Sequence, residues 1–96
     1  MSADTHARAV RTRVIVRGHV QGVFFRDSTR RLAAERAVSG WARNRPDGSV
    51  EAVFEGAPAE VAFLVRFCRE GPSGAKVESV DTFAEELEGL QGFSVT

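Results

Sequence analysis

VRTRVIVRGHVQGVFFRDSTRRLAAERAV, residues 10–38, changes its hydrophobic period partway along. Val10, Thr12, Val14 and Val16 alternate with Arg11, Arg13, Ile15 and Arg17, the period of two expected of a strand covered on one side. From Phe24 to about Val38 the residues are good helix formers, with Phe25, Leu32 and Ala33 on one side. Gly18 to Val23 lie between the two patterns and read as a loop. The stretch is therefore strand, loop, helix.

Working outward, Ser39 to Glu55 read as a hairpin, with SGWARNR and SVEAVFE as its arms and Pro46-Asp47-Gly48 as its turn. Pro58 suits the first position of a second helix, in which Val61, Leu64, Val65 and Cys68 share a face, and Gly71-Pro72 ends it. Lys76 to about Glu85 is expected to form a long strand. Val77 and Val80 stand three apart, which breaks strict alternation and predicts a bulge. Phe93-Ser94-Val95 is expected to add a short closing strand.

The order βαββαβ predicts an α+β, ferredoxin-like sandwich: an antiparallel sheet with two helices on one face. Right-handed crossovers would set the first strand beside the third, bringing Arg11, Arg13 and Arg17 near Glu51 and Glu55. One domain over residues 10–96 is expected, behind a flexible polar tail at 1–9 that contains His6.

Composition narrows the function classes. The chain has 96 residues, with 13 basic and 13 acidic side chains, and this balance disfavours a nucleic-acid partner that needs a strong basic field. No apolar run approaches the ~20 residues of a membrane span, and MSADTHARA contains no secretory core. A cytoplasmic, monomeric protein is the expectation. The single Cys68 cannot close an internal disulfide or a thiolate metal site, so a buried thiol is expected.

The loop GHVQGVFFR, residues 18–26, poses a chemical problem, because Arg26 stands where the positive end of a helix dipole should repel a cation. Glycines let backbone N–H groups approach a ligand closely, and a guanidinium fork among such donors makes an anion cradle. The alternative on residues alone is an ordinary pairing of Arg26 with Asp27 or another carboxylate. Asn44 is a second candidate. It falls on the helix-covered side near the end of its strand, where it either seeks a polar partner or caps the turn.

These two stretches together resemble the acylphosphatase family. Val16-Arg17-Gly18-His19-Val20-Gln21-Gly22-Val23-Phe24-Phe25-Arg26 matches its first signature, and Gly40-Trp41-Ala42-Arg43-Asn44 with Gly48, Val50 and Gly56 matches its second. The resemblance implies the same ferredoxin-like fold and a small acyl phosphate as substrate, split to a carboxylate and inorganic phosphate by water attacking in line. It implies a phosphate cradle of Gln21, Gly22, Val23, Phe24, Phe25 and Arg26. Arg26 is then the substrate-binding arginine and Asn44 the residue that orients the attacking water. Phosphate or sulfate should compete as an anion. The departures from the family pattern are the polar extension and the plain ending Ser94-Val95-Thr96.

Such a sparse site suits the chemistry. The leaving carboxylate has a conjugate acid that titrates near ~4, so at neutral pH it departs unprotonated and needs no general acid. Holding the phosphoryl group, spreading its charge and presenting water suffice. No metal or cofactor is expected, and His19 reads as an exposed loop residue. A phosphate-sensing module without turnover is the non-enzymatic alternative. An RNA-binding sheet ranks behind it, because SVEAVFEG lacks the aromatic and basic pattern.

Overall fold

The computed structural model describes residues 8–96. Most of the expected tail at 1–9, including His6, therefore lies outside the described residues. The elements run β1 (Val10–His19), α1 (Phe25–Glu35), β2 (Ser39–Asn44), β3 (Val50–Gly56), α2 (Pro58–Glu70), β4 (Lys76–Glu85) and β5 (Phe93–Val95). The sheet order is β4-β1-β3-β2-β5, so the first strand does lie beside the third.

β1 is antiparallel to both β3 and β4, and β2 to β3. The expected all-antiparallel sheet is corrected at one edge: β5 runs parallel to β2, pairing Gly40 with Phe93 and Ala42 with Val95, so the sheet is mixed. The reason lies in the connection 86–92, which leads the chain from the β4 edge to the opposite one. On the way it is anchored on Glu55 of the central strand β3, whose carboxylate accepts the N–H groups of Glu88, Gly89 and Leu90 at 2.9, 3.1 and 3.0 Å.

The predicted bulge is present. Arg17 faces Ser79 while Gly18 faces Val77, leaving Glu78 as the extra residue. Gly18 is needed opposite it, since a Cβ there would overlap the Lys76 carbonyl oxygen at a φ of 130°.

α1 is shorter than its pattern suggests, beginning at Phe25 and ending at Glu35 rather than Val38. Ala37 enters the left-handed region at φ 55°. Val38 N–H then turns back to the Ala33 carbonyl at 2.9 Å and Ala37 N–H to Ala34 at 3.4 Å, the Schellman closure. The buried stripe of α1 is Phe25, Thr29 and Ala33, with Leu32 only half-buried. Thr29 fits an apolar stripe because its hydroxyl donates to the Phe25 carbonyl at 2.8 Å.

Val61, Leu64 and Cys68 of α2 complete the core over Val14, Val16, Val50, Ala52 and Phe54. The opposite face of the sheet carries a charge lattice. Arg11 pairs with Glu55 at 2.8 Å and with Glu85 at 3.0 Å, and Arg13 with Glu85 at 2.7 Å and Glu51 at 3.4 Å. Arg17 departs from expectation. Val16 is already paired with Val50, the first residue of β3, so Arg17 passes the end of that strand and meets Asp47 at 3.2 Å and Asp81 at 4.0 Å.

Candidate active site

The loop that the sequence offers as an anion cradle begins where β1 ends, and its glycine turns the chain. Gly22 adopts φ 76° in open space, so backbone conformation rather than room calls for glycine there. Phe24, in the left-handed region at φ 61° and ψ 25°, caps α1 without a side-chain hydrogen bond, and its carbonyl accepts Ser28 N–H at 3.0 Å. Among the described residues, no main-chain oxygen accepts the N–H groups from Gln21 to Arg26. A run of free donors thus opens beside the positive end of the helix.

Arg26 is half-buried within this loop and its Nη1 donates to the main-chain oxygen of Thr96. Of the carboxylate pairings that the sequence left open, the one with Asp27 does not form, and the oxygen that Arg26 meets is that of Thr96, the last residue. Asp27 instead accepts Arg30 at 2.6 Å, which holds its carboxyl below the usual range. A guanidinium has five N–H donors, so one bond to Thr96 leaves the rest of the fork for an anion.

Asn44 ends β2, exposed. The turn that follows is closed without it. Asp47 accepts the Ser49 hydroxyl at 2.6 Å and the Ser49 N–H at 3.0 Å, and Arg45 N–H reaches the Ser49 carbonyl at 2.8 Å. The Ser49 hydroxyl, then its N–H and Arg17, pull the Asp47 carboxyl down to about 2. Among the described residues, the Asn44 carboxamide has no hydrogen-bond partner. It is free to take a ligand rather than serving the turn.

Gln21 joins the two halves. Its Nε2 donates to the carbonyls of Arg45 at 2.8 Å and Ser49 at 2.9 Å, clamping the cradle loop to the hairpin end that carries Asn44. Its side chain is therefore committed, and only its main chain is left for the cradle. Arg26 and Asn44 line a single cleft of about 250 Å³ with Val20, Gly22, Phe24, Phe25 and Asp27, whose carboxylate is taken up by Arg30; of the predicted cradle residues, Gln21 and Val23 do not line it. Residues 18 positions apart in the chain are thereby brought to one place by the β1-to-α1 turn and the end of β2.

Other candidates stand apart. His19 is exposed at the end of β1. Cys68 is fully buried, and burial pushes its thiol up to about 12. Trp41 and Arg43 stack on the charged face, 5.4 Å from guanidinium to ring, with Arg43 reaching Glu51 at 2.7 Å. Among the described residues, no three His, Cys, Asp or Glu side chains converge as a metal site requires. The contacts of Thr96 and of the Gln21 side chain were not legible beforehand. Both partners are main-chain oxygens or reach one, and such oxygens carry no residue-specific signal.

The family model "Acylphosphatase" matches residues 12–95. An acylphosphatase of Rubrobacter xylanophilus is 58% identical over 86 residues, covering 88% of this chain and 78% of that one. One from Gloeobacter violaceus is 54% identical, covering 93% and 96%. The structure of an acylphosphatase from Coxiella burnetii superposes with a TM-score of 0.90 at 34% identity, covering both chains completely. The chain belongs to the acylphosphatase family, whose activity is the hydrolysis of acyl phosphates.

Proposed function

We propose that this hydrolase splits small acyl phosphates without a metal, seating the phosphoryl group in the loop Gln21–Arg26 and using Asn44 to hold the attacking water in line. One observation carries the reading: Arg26, the unpartnered Asn44 and the loop residues Gly22, Phe24 and Phe25, whose N–H groups have no main-chain acceptor among the described residues, line one cleft. The loop amides and the guanidinium fork spread the charge of the phosphoryl oxygens as the bond to the leaving group lengthens. The Asn44 carboxamide oxygen accepts a hydrogen bond from the water and so aims the water's lone pair at phosphorus; the water's protons stay with the phosphate that forms. The carboxylate then leaves unprotonated, since its conjugate acid titrates near ~4.

Inorganic phosphate and sulfate occupy the same cradle as competing anions. The reading includes a cytoplasmic monomer. A buried free Cys68 thiol suits a reducing compartment.

The test is phosphate release from acetyl and benzoyl phosphate by the purified protein, with and without chelator. Turnover that persists in chelator and disappears in Arg26→Ala supports the assignment. Turnover restored only by a divalent ion refutes the metal-free mechanism. Phosphate binding without any turnover would make the chain a sensing module.

A further inference from the structure

Phe24 stands out among the seven phenylalanines of the chain. Each of the others has a ring or guanidinium partner: Phe25 with Phe67 at 5.9 Å, Phe54 with Phe93 at 5.9 Å, Phe63 under Arg36 at 3.4 Å, Phe83 under Arg13 at 4.4 Å. Phe24 has none among the described residues. It is 80% exposed, against 49% for Leu87 and 41% for Phe83, the next most exposed large apolar side chains. Its neighbour Phe25 is 2% exposed, so the left-handed backbone at Phe24 sends one ring into the core and the other out to water.

The place of this ring gives it a use. Phe24 lines the same cleft as Arg26 and Asn44, and the other apolar side chains there, Val20 and Phe25, are buried. An acyl phosphate held by its phosphoryl group must project its acyl group out of the cradle, and Phe24 is the one exposed apolar side chain lining that cleft. A charged or strongly hydrated acyl group finds no partner in that ring. An aromatic or extended apolar one removes both surfaces from water.

We propose that Phe24 forms an acyl subsite and that the substrates best served are acyl phosphates with an aromatic or apolar acyl group. The inference rests on the cradle reading above, and it is a claim about the leaving half of the substrate rather than the phosphoryl half.

The test compares phenylphosphonate with methylphosphonate binding by calorimetry, and benzoyl with acetyl phosphate by kcat/KM, in the unaltered protein, Phe24→Asn and Phe24→Tyr. Asparagine tolerates the left-handed backbone, so the loop is kept while the ring is removed. Phe24→Asn should lower the phenyl-over-methyl preference about 3- to 10-fold, the span of a stacked aromatic contact, and Phe24→Tyr should retain it. A Phe24→Asn protein with the original preference, or one that loses both phosphonates equally, would overturn the subsite. Undiminished hydrolysis with no phenyl preference would sink the subsite and leave the hydrolase reading standing. A ring-dependent phenylphosphonate preference without release of phosphate would do the reverse.

Discussion

Gln21 donates to the Arg45 carbonyl at 2.8 Å, and Arg45 directly follows Asn44. The relative position of cradle and Asn44 therefore depends on an amide that can donate. Gln21→Glu places an ionised carboxylate against two carbonyl oxygens, removing both donors and adding repulsion. The variant should lose on the order of 10-fold or more in kcat, with KM less affected, because Asn44 is displaced while the loop N–H groups remain. Protonation restores one donor, so its activity relative to the unaltered protein should rise as pH falls from 7 towards 5. A folded Gln21→Glu protein with unchanged kcat and a parallel pH profile would refute the clamp.

Arg26 and Asn44 should separate in a binding experiment. Each charge-assisted hydrogen bond is worth about 1.5–3 kcal/mol, so Arg26→Ala should lose phosphate affinity and turnover together. Asn44→Ala should keep phosphate affinity while kcat falls on the order of 10²-fold. Calorimetric Kd values beside steady-state rates decide the matter. Asn44 loses its role as water positioner if the variant turns over normally or, while folded, fails to bind phosphate.

On the proposed reading the loop 21–26 takes a tetrahedral anion, so sulfate should raise KM without changing kcat. In an NMR titration the amides from Gln21 to Arg26 should shift first and furthest. Shifts confined elsewhere on the surface would move the anion site away from this loop.

Glu55 ties the connection 86–92 to the sheet, and its ionisation is linked to stability. Burial alone would raise its pKa, but the N–H groups of Glu88 and Leu90 and the Arg11 guanidinium outweigh that and hold it below the ordinary 4.5. A group depressed on folding stabilises the folded state above its unfolded pKa, and that contribution disappears as pH falls through the folded value. Acid should therefore loosen the protein below about pH 4.5, with the 86–92 amides losing exchange protection early. Glu55→Gln should cost on the order of 1–3 kcal/mol at pH 7 and flatten the acid limb of the Tm profile. An acid limb unchanged in Glu55→Gln would show that other carboxylates carry the effect.

Much of this architecture is local information. The alternation of β1, the Asp47-Gly48 turn, Pro58 at the head of α2 and the Val77–Val80 spacing each act through neighbours in the chain, so element order and even the bulge at Glu78 could be read directly. The same holds for the likeness of the loop 18–26 and of Gly40–Asn44 to family signatures. The end of α1 was less legible, because Ala37 adopts a left-handed conformation that its residue type does not announce.

By itself, the sequence determined the βαββαβ order, the sheet face that each side chain of β1 and β3 takes, and the residue types available to the cleft. Tertiary structure alone decided that β5 lies parallel to β2, that Thr96 reaches Arg26, that Gln21 clamps the hairpin and that Asn44 is left without a partner. The physical reason is the kind of group involved. Periodicity and turn chemistry belong to side chains and act over a few residues, whereas a carbonyl oxygen is the same in every residue and gains its meaning only when distant segments meet.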